Sequence, residues 1–279
     1  MRSADAWDDV ADEYECRVQP FTEQFASPLL DACAVDGAPQ TFVDVACGSG
    51  AVALAAAARG ARVTACDHSQ AMLDRLAARA RAESMQLDAI VACDGEAPPR
   101  EWAGMFDCAA SGFGVIFFPD ADAGVAAMLR CVRPGGRVAI SAWGSADVTP
   151  AFQVIPAAVS SVLADRLDAR PRRLGARLGG ADVPSRLRAL FMDAGATAVR
   201  VDGPITRTLV VASAREYWLR FALGSPGTRE MLAEAERIGG AQAVLAIEQA
   251  ALADLRARFG DGEVRLDASA YVASGAAPG

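Results

Sequence analysis

Two kinds of hydrophobic pattern alternate through the middle of the chain. Short, almost continuously apolar runs predict buried strands at residues 41–46, 61–66, 88–93, 106–111 and 136–143. Segments rich in alanine and leucine lie between them and predict helices at residues 50–59, 69–82 and 121–131. Apolar strands joined by helices are typical of a parallel sheet that is covered on both faces. We therefore expect an α/β fold with a doubly wound, mostly parallel sheet.

The pattern is weaker on either side of this core. The first 40 residues are predicted to be helical, with apolar anchors among acidic residues. After the core, the pattern predicts helices at residues 152–167 and 184–194 and a largely helical stretch at residues 213–259. Further strands are predicted at residues 198–202, 206–211 and 262–272. The dipeptide Gly203-Pro204 is expected to separate the first two of these strands.

The first predicted strand ends in a pair of glycines, because residues 43–50 read Val-Asp-Val-Ala-Cys-Gly-Ser-Gly. An apolar strand that stops at Gly-x-Gly and continues as a helix is typical of a turn that binds a nucleotide cofactor. Glycine is needed there because a Cβ atom would hold the ligand away from the backbone. The acid within the strand, Asp44, is unusual for dinucleotide-binding proteins, whose first strand is generally wholly apolar.

Polar residues also follow the other predicted strands, where ligands of this fold class bind. Asp67 ends the second strand, about 17 residues after Gly50, which is close to the spacing at which an acid binds ribose hydroxyls. Asp94 follows the third strand, and the fourth ends in Ser-Gly-Phe-Gly at residues 111–114. The segment Arg-Pro-Gly-Gly at residues 133–136 turns tightly into the fifth strand.

Taken together and in this order, these motifs resemble the class I S-adenosylmethionine-dependent methyltransferases. The ubiquinone/menaquinone C-methyltransferase-like group is the most similar, because it also begins with a helix of the type Trp7, Ala11 and Tyr14. The resemblance extends over residues 7–143. It implies a doubly wound, mostly parallel, Rossmann-like sheet of seven strands with N-terminal helices, a helical lid insertion and methyl transfer from S-adenosyl-L-methionine.

The resemblance also implies roles for individual residues. Asp44 and the neighbouring backbone would hold the methionine end of the cofactor, Asp67 the ribose, and Asp94 the adenine amino group. The cofactor-binding residues implied in this way are Tyr14, Phe21, Asp44, Ala46, Gly48, Ser49, Gly50, Asp67, His68, Met72, Asp94, Gly95, Glu96, Ser111, Gly112 and Phe113.

Several of these residues also have ordinary structural explanations. Asp94 is compatible with a simple turn, and His68 with an exposed loop residue that contacts the cofactor only through its backbone. No motif identifies a catalytic residue. Tyr14 is the one candidate, and ordinary helix packing explains it equally well. Ser69 is better placed than Asp67 to cap the following helix.

The amino-acid composition argues against several classes of catalysis and of binding partner. All 27 basic residues are arginine, which removes lysine-based covalent catalysis, and His68 is the only histidine. A net charge of −8 argues against a nucleic-acid partner. No apolar run reaches the roughly 18 residues of a membrane helix. The seven cysteines favour a reducing cytoplasm. Those at positions 47, 66, 93 and 108 lack metal-site spacing and are expected to be core residues, so no metal is predicted.

We therefore expect a methyltransferase that acts on oxygen, carbon or nitrogen of a small, largely apolar molecule. A homodimer is compatible with the sequence. One alternative is an enzyme of the same fold that holds the cofactor structurally and performs another reaction, such as a cyclisation. A second alternative is an NAD(P)-dependent oxidoreductase, because Gly48, Gly50 and Ala53 also fit a relaxed dinucleotide fingerprint.

The resemblance divides the chain into parts with different expected roles. The predicted parts are an N-terminal helical cover (residues 1–40), a cofactor-binding core (41–144), an acceptor-pocket insertion (145–183), a core helix and strand (184–211), a helical lid (212–261) and a final core strand with a tail (262–279). Aromatic and aliphatic residues suggest an apolar acceptor pocket, although core packing explains them equally well: Phe152, Trp218, Phe221, Leu223 and Met231. The arginine-rich segment 166–177 is expected to be a solvated face, with binding of an acidic acceptor as the alternative.

Overall fold

A seven-stranded sheet forms the centre of the protein. The computed structural model describes residues 3–36, 40–164 and 182–279, and the predicted arginine-rich segment 166–177 lies outside these ranges. The strand order is β3-β2-β1-β4-β5-β7-β6. Strands β1 to β5 are parallel, and β7 runs antiparallel between β5 and β6. The predicted doubly wound, mostly parallel sheet is confirmed.

The strands of the core lie close to their predicted positions. Their bounds are β1 Thr41–Val45, β2 Arg62–Asp67, β3 Ala89–Ala92, β4 Phe106–Gly112, β5 Val132–Trp143, β6 Thr197–Val211 and β7 Val264–Ala276. Strand β5 begins four residues before its predicted start at residue 136, and β7 continues four residues beyond residue 272.

Helices cover both faces of this sheet. The N-terminal part contains α1 Ser3–Asp8, α2 Ala11–Glu13, a π-helical turn Tyr14–Val18, α3 Gln19–Thr22 and α4 Ala26–Ala32. The core contains α5 Ala51–Ala58, α6 Gln70–Ala82 and α7 Ala121–Cys131. The later helices are α8 Val154–Val162, α9 Val183–Asp193, α10 Ala214–Gly224 and α11 Pro226–Phe259. No helix among the described residues is long and apolar enough to cross a bilayer.

The prediction of two separate strands around Gly203-Pro204 is wrong. Strand β6 continues through this dipeptide, and its pairing with β7 only shifts register between Asp202 and Ile205. The physical reason is that β6 is an edge strand. A proline on an edge strand removes no ladder hydrogen bond if its missing N–H would have faced away from the neighbouring strand.

Two apolar clusters lie on the two sides of the sheet. The first packs α4, α5 and α6 against the sheet, with Leu29, Val52 and Leu76 among its members. The second packs the helices from α7 onward against the other face, with Met128 and Phe191 among its members. Because the chain leaves β1 toward β2 and later returns to β1 through β4, the order of strands reverses at β1. A crevice is expected at the carboxyl ends of these two strands.

In the turn into β5, the addition of a single methyl group is expected to destabilise the folded protein. A Cβ atom at Gly136 would lie 2.8 Å from the Arg133 carbonyl oxygen and 2.9 Å from that of Asp107. Because both contacts are with backbone, we expect Gly136→Ala to lower the free energy of unfolding by about 1–3 kcal/mol. Urea denaturation followed by circular dichroism measures this. Gly262→Ala is the matched control, since a Cβ there meets nothing within 4 Å. Equal stability of the two variants would contradict the prediction.

Candidate functional site

A cavity opens where the strand order reverses, at the carboxyl ends of the parallel strands. Residues from the N-terminal helices form its cover, and the loops after β1 to β5 form its floor. Most of the predicted cofactor-binding residues line it: Tyr14, Asp44, Ala46, Gly48, Ser49, Asp67, His68, Met72, Asp94, Gly95, Glu96, Gly112 and Phe113.

Three predicted residues lie outside the cavity wall. Phe21 is buried and packs its ring against Phe25 and Trp143. A Cβ atom on Gly50 would point at Leu76 of α6, so this glycine, with a φ of 95°, supports the packing of the loop on the helix. Ser111 is fully buried, and its hydroxyl oxygen has no hydrogen-bond partner in the described part of the chain.

About half of the residues that line the cavity were not predicted from the sequence. The additional lining residues are Trp7, Gln19, Thr22, Phe25, Ala26, Leu29, Cys47, Ala51, Val52, Gly114, Phe117, Phe118, Pro119 and Ser141. Apart from Trp7, which belongs to the helix pattern of Trp7, Ala11 and Tyr14, those from the N-terminal helices carry no local motif. Ser141 had a usable signal, because it lies near the carboxyl end of the fifth parallel strand. Among the described residues, none from the predicted acceptor-pocket insertion or the helical lid lines the cavity.

Asp67 holds the floor of the cavity together. Its Oδ2 accepts the Gly48 N–H at 2.8 Å, and its Oδ1 accepts the Ser69 N–H at 2.9 Å. These bonds tie the Gly-x-Gly loop to the beginning of α6, which Ser69 caps by accepting the Met72 N–H. Burial raises the pKa of the Asp67 carboxyl, and the two backbone donors oppose this shift. Each carboxylate oxygen still has a lone pair available for a ligand.

Asp44 is a buried carboxyl group without a protein partner. Its side chain is 1% exposed, and neither of its oxygens accepts a hydrogen bond from a described residue. Burial raises the pKa of this carboxyl well above its usual value, the backbone N–H of Ala53 opposes this shift, and the nearby Asp67 adds to it. A buried acid of this kind is costly unless a ligand supplies the missing donors.

The backbone of the cavity floor adopts unusual conformations. Gly48 has a φ of 52°, and a Cβ atom there would meet nothing within 4 Å. Ala46 and Phe113 also have positive φ values, 54° and 62°, although neither is glycine. Strained residues of this kind persist only where the surrounding structure enforces them, and they cluster at functional sites. Because Gly48 has no side chain, there is open space beside its backbone. The nearby residues Ala46 and Phe113 are held in strained backbone conformations.

Asp94 and His68 occupy exposed positions at the rim. Asp94 accepts the Glu96 N–H at 2.9 Å, so it is a turn residue and a cavity residue at the same time. His68 is exposed, as the alternative interpretation of the sequence expected. Glu96 accepts the Asp120 N–H at 2.5 Å, which fixes this rim to the beginning of α7.

The N-terminal helices are fastened over the cavity by polar contacts with α6. Asp8 accepts hydrogen bonds from the Ser69 hydroxyl at 2.5 Å and from the Ala71 N–H at 3.1 Å. Arg75 of α6 forms an ion pair with Asp12. The Ser49 hydroxyl donates to the Gln19 side chain, so the cover also touches the Gly-x-Gly loop directly.

Aromatic contacts complete the cover. The ring of Trp7 packs edge-on against Tyr14 at 5.4 Å and against Phe117 at 5.2 Å. Burial raises the pKa of the Tyr14 hydroxyl, which also lies 3.4 Å from the Thr22 hydroxyl. Tyr14 therefore keeps its proton at neutral pH and is a poor general base.

The strand order divides the cavity into two chemically different ends. Carboxylates lie over β1, β2 and β3, where Asp44, Asp67 and Asp94 are found. Over β4 and β5 the wall is apolar and aromatic apart from Ser141. The described lining residues of that second end are Phe25, Ala26, Leu29, Gly112, Phe113, Gly114 and Ser141, none of which is ionisable.

Comparison with known proteins identifies the type of domain. Residues 42–136 match the family model described as a methyltransferase domain. The nocamycin O-methyltransferase of Saccharothrix syringae is 33% identical over 139 residues, which is 48% of this chain and 49% of that protein. The demethylmenaquinone methyltransferase of Thermobifida fusca is 32% identical over 148 residues, which is 52% of this chain and 62% of that protein.

A solved structure extends the comparison to the whole fold. The YcgJ protein of Bacillus subtilis superimposes with a TM-score of 0.57 and 13% identity, covering 92% of this chain and 99% of that one. The alignments with curated relatives span only 36% to 62% of the relatives' own lengths. The match to the family model, over residues 42–136, includes the loops after β1 to β4 that form most of the cavity floor.

The unpaired carboxyl of Asp44 predicts a pH-dependent stability in the ligand-free protein. The pKa of Asp44 is raised in the folded state. Its stabilising contribution to the free energy of unfolding is therefore complete below about pH 4, which is the pKa of an aspartate in the unfolded chain. This contribution is lost as the pH rises through the raised pKa of the folded state. We therefore expect Asp44→Asn to have wild-type stability near pH 4 and to be about 1–3 kcal/mol more stable than wild type at pH 8.

Urea denaturation at the two pH values measures this difference. The control is Asp94→Asn, an equivalent change at an exposed position of the same cavity. A stability difference between Asp44→Asn and wild type that does not change with pH would contradict the prediction.

Proposed function

We propose, on the premise that residues 42–136 form a methyltransferase domain, that the protein is an S-adenosylmethionine-dependent methyltransferase with a small, largely apolar acceptor. The accepting atom is oxygen, carbon or nitrogen. The single observation that carries the proposal is the pair of buried carboxyls, Asp44 and Asp67, around the open Gly48 turn. The chemistry of this pair fits the two polar ends of that cofactor.

Asp67 fits the ribose. Two adjacent hydroxyl groups need two acceptors, and the Asp67 carboxylate retains a lone pair on each oxygen after binding the Gly48 and Ser69 N–H groups. Those same bonds hold the carboxylate rigidly in the wall, so a ligand need not order it. Asp94, Glu96 and Met72 would flank the adenine.

Asp44 fits the amino group of the methionine part. An ammonium group is a cation with three donors, and it would satisfy a buried carboxyl that otherwise has none. The ion pair would favour the charged form of Asp44 over the neutral form that burial favours. The open space at Gly48 would allow the ligand to approach the backbone closely.

The apolar end of the cavity, over β4 and β5, would hold the acceptor, and its residues suggest how the protein contributes to the reaction. When bound, S-adenosylmethionine supplies a methyl group that is already activated by its positive sulfur. The described residues over β4 and β5 provide an apolar wall that excludes water and no ionisable group that could remove a proton. Alignment of the acceptor in a dry cavity is therefore the main task of these residues.

Ligand binding tests the cofactor assignment. We expect S-adenosylhomocysteine to bind to the wild-type protein in calorimetry and Asp67→Ala to weaken binding at least about 100-fold, since the variant loses both the ribose acceptors and the bonds to the loop. Asp254→Ala, an exposed position on α11, should bind as the wild type does. NAD should not bind. Full affinity in Asp67→Ala, or binding of NAD instead, would contradict the assignment.

Product mass tests methyl transfer itself. Incubation of the protein with S-adenosylmethionine and extracts of small molecules should yield products heavier by one methyl group, together with S-adenosylhomocysteine. Use of the methyl-deuterated cofactor should shift each product mass accordingly. Turnover of a small molecule without a gain of methyl would instead support a non-methylating reaction on the same fold.

A further inference from the structure

We propose that Ser141 orients the methyl acceptor by donating a hydrogen bond from its hydroxyl group to an oxygen atom of an otherwise apolar molecule. This inference rests on the proposed function. It assigns a specificity-determining residue to the end of the cavity that lies over β4 and β5, where the polar residue predicted from the sequence, Ser111, does not line the wall.

Ser141 has an unused donor. Its hydroxyl oxygen accepts the Phe113 N–H at 3.0 Å, and no described residue accepts a hydrogen bond from the hydroxyl itself. The residue is fully buried and yet belongs to the cavity wall. A buried hydroxyl whose proton has no acceptor is unfavourable, and a ligand oxygen would satisfy it.

The neighbouring strand leaves this hydroxyl accessible from the cavity. Ser141 pairs with Gly112 of β4, and paired residues of neighbouring strands point to the same face of the sheet. A Cβ atom at Gly112 would point toward Val52 at 2.7 Å and Leu29 at 3.8 Å, both of which also line the cavity. The absence of a side chain at Gly112 therefore leaves space beside Val52 and Leu29 on the face of the sheet to which Ser141 belongs.

Ser141 also fixes the aromatic wall beside it. The N–H that it accepts belongs to Phe113, whose φ of 62° is unfavourable for a residue other than glycine. The Phe113 ring stacks on Trp143 with 3.9 Å between centroids and meets the edge of Phe25 at 5.5 Å. One serine thus presents a donor and holds the ring next to it, which suits a flat apolar molecule with one oxygen.

The surroundings make this donor selective. The described lining residues near it are apolar and carry no charge, so a hydrogen bond here is not weakened by competing side chains or by water. An acceptor that lacks the oxygen would leave the Ser141 hydroxyl unsatisfied. Discrimination between oxygen-bearing and hydrocarbon ligands of equal shape is therefore the expected signature.

Two probes of the same shape test this. The protein saturated with S-adenosylhomocysteine is titrated with 4-methylanisole and with 4-ethyltoluene, in which the ether oxygen is replaced by a methylene group, and binding is followed by ligand-observed NMR. We expect the wild-type complex to bind the ether about five- to tenfold more tightly than the hydrocarbon. Ser141→Ala should bind the two probes equally, and Ser141→Cys, whose thiol is a weaker donor, should show an intermediate preference.

A matched control separates this role from general effects of removing a buried hydroxyl. Ser274→Ala changes a buried serine on β7 that lies outside the cavity wall, and it should keep the full preference for the ether. Ser274→Ala should also retain wild-type affinity for S-adenosylhomocysteine, because it lies outside the cavity wall.

The outcomes distinguish the two proposals. If the wild-type protein does not bind S-adenosylhomocysteine, the proposed function is overturned. Binding of S-adenosylhomocysteine with no binding of either probe, with no preference between them, or with an unchanged preference in Ser141→Ala would overturn the assignment of Ser141 alone.

Discussion

The carboxylate of Asp67 is the interaction on which the cavity depends. It accepts N–H groups from Gly48 and Ser69, so a single side chain joins the loop after β1, the end of β2 and the beginning of α6. Ser69 in turn caps α6 and donates to Asp8 in the N-terminal cover. The floor and the cover are therefore parts of one hydrogen-bonded network. The Asp67 side chain is therefore held in place by the protein itself.

The order of the strands then decides what each part of the cavity can bind. β2 and β3 lie on one side of β1, and β4 and β5 lie on the other. Acids at the ends of the first three strands and apolar residues beyond the last two give the cavity a polar and an apolar part side by side. A reaction between a charged cofactor and an apolar molecule requires this separation, because each partner is poorly solvated in the other's environment.

The sequence predicts the features that depend on residues close together in the chain, but not those that depend on contacts between distant segments. The parallel core follows from local patterns, since buried strands and capped helices have signatures of a few residues, and Asp44, Asp67 and Asp94 stand at strand ends. The continuous strand β6 was missed because tolerance of Pro204 depends on its being at the edge of the sheet. Gln19, Phe25 and Leu29 were missed because their place in the wall depends on how the cover folds over distant loops.

Several energetically unfavourable features of this structure lie around the cavity. Asp44 is buried without a partner, Ala46 and Phe113 have left-handed backbones, and the Ser141 donor is unused. Each of these costs of order 1–3 kcal/mol in a folded protein. The apolar clusters on both faces of the sheet provide the stability that tolerates them. Since a cation would pair with the Asp44 carboxyl and an oxygen acceptor with the Ser141 hydroxyl, these two groups are an argument for what the cavity binds.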